Sequence, residues 1–235
     1  MEFRSQKTAR GLILLAVAVV SAGAVEYPAR HEHLRKGCTG TLTIDEHGVS
    51  FREQTAKKRK HPHDYAWKFE DIQQLELEPG LVRVLTYKDN RWKLGADREY
   101  VFNRTASADF SSAYPLLKDR LDQRFVSALA DADVRPLWEV PVKRLGTIRG
   151  SEGLLVVGDE RIVYKTEQKA DSRTWRYRDI DNISTSGPFS MTVTTFERAK
   201  AHYGNRKDFN FQLKSPLDEA KYNDLWRRLH LRSNQ

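Results

Sequence analysis

At 235 residues and 27.2 kDa the chain has room for one large domain or two small ones. Hydrophobic residues make up 39%, too few for a multi-spanning membrane protein, while 31% charged residues and 10% aromatics argue against disorder. The single cysteine excludes an intramolecular disulfide and any zinc site of two or more thiolates, and the net charge is +8.

Residues 1–24 read as a targeting segment. Arg4, Lys7 and Arg10 precede an unbroken small or apolar run from Gly11 to Val20, and Ser21-Ala22-Gly23-Ala24 offers alanines where a signal peptidase reads small residues. Cleavage after Ala24 is the expectation. The run to Val25 falls short of the roughly 20 residues that cross a bilayer, so an uncleaved anchor over residues 11–25 is the alternative, reached by tilt. Either outcome places the rest of the chain outside the cytoplasm, periplasmic or extracellular. An oxidising compartment suits a chain with one cysteine.

Beyond that segment the chain repeats. Glu26-Tyr27-Pro28 aligns with Glu139-Val140-Pro141 at an offset of 113, and the offset carries Gly40 onto Gly153, Leu42 onto Leu155, Val49 onto Ile162 and Phe51 onto Tyr164. Trp67-Lys68-Phe69-Glu70-Asp71-Ile72 then matches Trp175-Arg176-Tyr177-Arg178-Asp179-Ile180 at 108, so the second copy has a loop five residues shorter. Each copy is expected to fold around its own tryptophan, in a sheet of its own.

Within the first copy, residues 39–44 alternate, Asp45-Glu46-His47-Gly48 reads as a turn, and Val49 and Phe51 resume the alternation. That pattern is a hairpin. Residues 154–157 and 162–164 form its counterpart around Gly158-Asp159-Glu160. Further strands are expected over 81–87 and 99–102, and over 191–196 and 208–213. Asp71 and Asp179 read as turn residues that satisfy backbone groups. Pro115 is expected to open a helix carrying Leu117, Leu121, Phe125 and Leu129, at spacings of four. In the second copy Ser215 is the expected cap, Pro216 the first helical residue, and Leu217, Tyr222, Leu225, Trp226 and Leu229 the buried stripe.

The order hairpin, Trp-x-aromatic-x-Asp-Ile, two strands and terminal helix resembles bacterial pleckstrin-homology-like domains, including their GRAM relatives. His31-Glu32-His33-Leu34, Cys38-x-Gly40-x-Leu42 and Trp67-x-Phe69-x-Asp71-Ile72 also look like modules of exported bacterial proteins of unassigned role. The resemblance covers most of residues 26–130 and 136–231. It implies a mainly β (α+β) fold of two tandem units, each a curved antiparallel sheet or partly open barrel closed by a C-terminal helix. Such folds host lipid binding, peptide binding and scaffolding, so the resemblance does not choose an activity.

Candidate sites are few. Lys57, Lys58, Arg59 and Lys60 form a basic loop, and phosphoinositide-binding domains of the resembled family meet headgroups with such a loop; a solvated loop tip is the simpler reading. His31-Glu32-His33 and His61-Pro62-His63 are two His-x-His pairs, with Cys38 and His47 as further donors. They read as polar loop and strand-end residues, and no resident metal or cofactor is expected. Cys38 reads as a small core residue. The second half carries the charge excess, +6 over residues 134–235 against zero over 25–133, and export removes it from nucleic acid. With no nucleophile elbow, zinc-protease helix, phosphate loop or dinucleotide fingerprint, the expectation is a non-catalytic protein. Its expected partner is a protein, peptide or envelope component. The alternatives are an anionic membrane surface met by the basic loop and, behind it, a metal-dependent hydrolase.

Overall fold

The computed structural model describes residues 23–33, 37–54, 63–93, 95–105, 109–146, 150–168, 170–199 and 206–232. Residues 1–22 of the expected targeting segment lie outside these. Among the described residues no helix is long and apolar enough to cross a membrane.

The chain is mainly β. The first half runs β1 (Val25–His31), β2 (Cys38–Ile44), β3 (Gly48–Glu53), β4 (Tyr65–Lys68), β5 (Ile72–Glu78), β6 (Leu81–Asp89) and β7 (Asp97–Arg104). A short helix α1 (Tyr114–Leu117) and a strand β8 (Phe125–Ser127) follow. The second half runs β9 (Pro136–Leu145), β10 (Ser151–Gly158), β11 (Arg161–Lys165), β12 (Arg173–Arg176), β13 (Ile180–Ser184), β14 (Ser190–Thr195) and β15 (Lys207–Leu213), and ends in α2 (Glu219–Arg232). Single 3-10 turns, Phe69–Asp71 and Tyr177–Asp179, sit at matching places, and Asp71 and Asp179 each accept the backbone N–H three residues earlier.

The pairing of the two halves corresponds strand for strand. β1 lies between β2 and β7, with His31 opposite both Cys38 and Phe102. β9 lies between β10 and β15, with Arg144 opposite both Ser151 and Phe211. Phe51 faces Tyr65 across β3–β4 as Tyr164 faces Arg173 across β11–β12. Gly40 and Gly153 occupy the same crowded point: a Cβ there would run into the Arg52 carbonyl and the Phe51 ring, or the Lys165 carbonyl and the Tyr164 ring. No side chain fits where β2 and β3, or β10 and β11, approach so closely.

Alternation decides which side chains form the cores. One core gathers Tyr27, Leu42, Phe51, Trp67, Leu75, Val84 and Phe102; the other gathers Val140, Leu155, Tyr164, Trp175, Ile183, Val193 and Phe211 under Leu225 and Leu229 of α2. The cores are separate, but the sheet is not: hydrogen bonding runs through all fifteen strands. This differs from the expected pair of separate sheets. β8 is the link, parallel to β5 on one side and joined to β12 by the single pair Thr174–Ser127 on the other.

The expected helix from Pro115 ends after one turn. Asp122 explains this locally: its carboxylate accepts both the backbone N–H and the Nε–H of Arg124, an arrangement that competes with helix continuation. Leu117, Leu121, Phe125 and Leu129 are all buried, but as a turn followed by a strand. At the other end α2 starts three residues later than Pro216, capped by Asp218, which accepts the Ala220 N–H at 2.7 Å. Leu225 and Leu229 are buried, whereas Trp226 is 45% exposed.

The halves are braced by arginines. Arg176 donates to the carbonyls of Lys118, Leu121 and Asp122, and Arg178 to that of Lys118. Thr174 donates to the Leu129 carbonyl and accepts the Asp131 N–H, while Asp131 pairs with Arg161. Between these groups lies a half-open cleft of about 320 Å³. Its cations Arg161, Arg176 and Arg178 already hold protein oxygens across the boundary, which makes it a joint.

Candidate functional site

Inward-facing alternation continues past the apolar core to the strand ends. On β1 the buried face runs Tyr27, Ala29, His31; on β2 it runs from Ile44 and Leu42 to Cys38; on β3 it runs Val49, Phe51, Glu53. β4 carries Trp67 inward, with Tyr65 and then His63 at the same parity before it. Antiparallel pairing brings the end of β1, the start of β2, the end of β3 and the start of β4 to one end of the first half, so the last inward position of each strand meets the others. Here those positions hold His31, Cys38, Glu53 and His63, with His33 beside them. We refer to this end as the first mouth.

The cluster is compact. His33 Nε2 lies 3.1 Å from Cys38 Sγ. The ring of His33 is 4.2 Å from that of His31 and 4.3 Å from that of His63. Glu53 Oε2 accepts the His63 backbone N–H at 2.8 Å and lies 3.5 Å from His63 Nδ1. One potential ligand atom from each of His31, His33 and Cys38 falls within 4.8 Å of the others, and the same holds for Cys38, Glu53 and His63. Cys38 belongs to both groups.

Burial sets the electrostatics. His31 is 4% exposed, with Phe102 at 5.0 Å, Tyr65 at 5.2 Å and Phe51 at 5.7 Å between ring centres. Desolvation, reinforced by His33, His63 and Arg98, pushes its pKa down to about 4, so the ring is neutral at physiological pH. Burial likewise raises Tyr65 and Tyr100 above the usual phenol value. His31 Nδ1 is buried and makes no hydrogen bond, while His63 Nδ1 has only the Glu53 carboxylate, at 3.5 Å. A buried polar nitrogen without a partner costs about 1–3 kcal/mol, so this mouth is not built for stability alone.

The same positions in the second half are filled differently. Arg144 stands where His31 does, Ser151 where Cys38 does, and Asp171 takes the place of His63. Arg144 pairs with Asp171, Ser151 donates to Asp171, and the Tyr164 hydroxyl donates to the Ser151 carbonyl at 2.9 Å. Beneath them Arg173 pairs with buried Glu197, which also accepts from Trp175 Nε1 and Lys207 Nζ. Every charge of this group has an opposite partner there. Arg173 and Arg198 also reach Glu76 and Asp97 of the first half, so this second mouth abuts it.

Not every residue singled out in the sequence belongs to the cluster. Lys57, Lys58, Arg59 and Lys60, with His61 and Pro62, lie outside the described residues. His47 sits at the β2–β3 turn, the far end of β2 from Cys38, with its side chain 83% exposed. It is not a partner of His31 and His33. Glu53 belongs to no motif, and its parity with Val49 and Phe51 is the signal that places it inward.

No protein-family model matches the chain, and no curated protein does. Among solved structures it is similar to the C-terminal domain of an unknown protein from Leishmania infantum, with 14% identity and a TM-score of 0.32, over 51% of this chain and 94% of that one. It is also similar to the Spt16D Pob3N heterodimer, with 10% identity and a TM-score of 0.31, over 82% of this chain and 98% of that one. Both scores lie below the level of a shared fold, so the architecture rests on the strand register itself.

Proposed function

We propose that this chain is an exported, non-catalytic binding protein made of two tandem pleckstrin-homology-like units, with the first mouth as its working end. The contrast between the mouths carries the reading. Matched positions hold a self-satisfied Arg144–Asp171–Ser151 network in one unit and His31, Cys38 and His63, with the buried His31 Nδ1 lacking a hydrogen bond, in the other. A binding site gives up stability that a purely structural position keeps. Cys38 supports the non-catalytic part: it is 6% exposed beneath the imidazoles, a place suited to a ligand atom rather than to a nucleophile that must meet substrate. The apolar run after Arg10 and the Ala22-x-Ala24 pattern support export.

The test compares melting of His31→Leu and Asp171→Ala in chelator-containing buffer. Leucine removes the unpartnered nitrogen at similar volume, so His31→Leu is expected to be neutral or stabilising. Asp171→Ala strands Arg144 and is expected to cost about 2 kcal/mol or more. Equal destabilisation by the two would make both mouths structural and end the reading. Fractionation of cells expressing the full chain tests export, with a mature N-terminus at Val25 expected; retention in the cytoplasm would refute it.

A further inference from the structure

Taking the first mouth as a binding end, a premise on which this inference rests, its donors narrow the ligand. We propose that Cys38, His31, His33 and His63 bind one transition-metal ion of the zinc class, with Glu53 orienting His63.

Three observations carry this. The first is convergence: the ends of β1, β2 and β4 bring a thiol and three imidazoles together, and Cys38 Sγ is common to both groups of donors lying within 4.8 Å. Zinc bonds of roughly 2.3 Å to sulfur and 2.0–2.1 Å to nitrogen place tetrahedral ligand atoms about 3.5 Å apart. The 3.1 Å between His33 Nε2 and Cys38 Sγ is already near that spacing. The second is unmet bonding capacity. His31 Nδ1 is a buried lone-pair or N–H group on a residue 4% exposed, and it makes no hydrogen bond. Coordination would relieve that cost.

The third observation is the second half, which serves as a control. The ladder positions are the same, but a guanidinium replaces the His31 ring and a hydroxyl replaces the thiol, and Asp171 neutralises the one and bonds the other. The fold therefore does not require histidine or cysteine there. Sulfur and imidazole donors select zinc or copper over calcium or magnesium, which take oxygen. Thiolate and the Glu53 carboxylate together supply two negative charges to offset a divalent ion. Binding forms one metal–sulfur bond and releases the Cys38 thiol proton to solvent. Glu53, already bonded to the His63 backbone, is a positioning residue that fixes that ring's orientation.

The experiment uses the full chain, stripped with chelator, dialysed and titrated with Co²⁺ as an optical probe, then with Zn²⁺. One Co²⁺ per chain is expected, with the visible bands of a tetrahedral ion and a near-ultraviolet thiolate-to-cobalt band, both lost on adding one equivalent of Zn²⁺. Cys38→Ser should abolish the near-ultraviolet band and weaken binding more than about tenfold, and His31→Leu should weaken it similarly. Melting curves establish that each variant is folded, and Ser151→Ala in the second mouth should leave the titration unchanged. No cobalt bound, or a spectrum that survives Cys38→Ser, overturns the proposal. If the melting contrast between His31→Leu and Asp171→Ala holds while no metal binds, the mouth serves another ligand and only this inference falls.

Discussion

Trp67 and Trp175 stand in matched aromatic corners. The Trp67 ring lies 4.6 Å from Tyr100 and 6.1 Å from Phe102; the Trp175 ring lies 4.7 Å from Phe209 and 6.4 Å from Phe211. The packing is the same, but Trp175 also donates its indole N–H to the buried carboxylate of Glu197 at 3.0 Å.

Phenylalanine substitution separates these contributions. Trp67→Phe loses ring area alone, and a cost of about 1–2 kcal/mol is expected. Trp175→Phe also removes a donor from a buried charge, which adds about 1.5–3 kcal/mol. Denaturant melts of the two variants should therefore rank Trp175→Phe as clearly the more damaging; equal losses would mean that the indole bond contributes nothing.

Acid should act through Glu197. Burial pushes its carboxyl pKa up, but Arg173, Lys207 and the Trp175 indole outweigh burial and hold it below the ordinary 4.5. A folded-state value below the unfolded one means that this stabilisation is complete above about pH 4.5 and is lost as pH falls through the folded value. Glu197→Gln takes the nearer counter-charge from Arg173, leaving Glu76 at 3.9 Å, and should cost about 3 kcal/mol at pH 7. The gap from the parent chain should narrow as melts are taken down to about pH 3. A pH-independent gap would place the acid sensitivity elsewhere.

Arg176 tests the joint between the halves. Its guanidinium bonds three carbonyls of the first half while pairing with Asp179 of the second. Arg176→Lys keeps the charge and loses the fork, so it should recover little of what Arg176→Ala removes, about 2–3 kcal/mol. Calorimetry is expected to show the transition of Arg176→Ala broadening or splitting as the two cores lose their coupling. An unchanged sharp transition would leave the coupling to β8.

Much of the fold is local and therefore readable. Alternation over 39–44 and 49–51, the Asp45 turn and the Trp-x-aromatic-x-Asp-Ile stretches each specify short-range geometry, and each lies where a strand or turn is observed. The Pro115 segment fails for a reason equally physical. Leucines at spacings of four suit a helix, but the Asp122 turn and the open edge between β5 and β12 claim Phe125 for a strand. Neither competitor is visible in the spacing.

The candidate site divides along the same line. The sequence by itself determined the mainly β class and the alternation that sets Cys38 and Glu53 at the parity of Leu42 and Phe51, because side chains two residues apart share a face, while His31 and His63 read only as polar loop and strand-end residues. Which of them meet was decided by the tertiary structure. His47 lies only a little farther from Cys38 in the chain than His31 does, yet a seven-residue strand of about 3.3 Å per residue separates it from the mouth. His63 arrives from the approach to β4, because β3 pairs with β4. Ladder register sets those meetings, and register is a property of strands brought together rather than of any one of them.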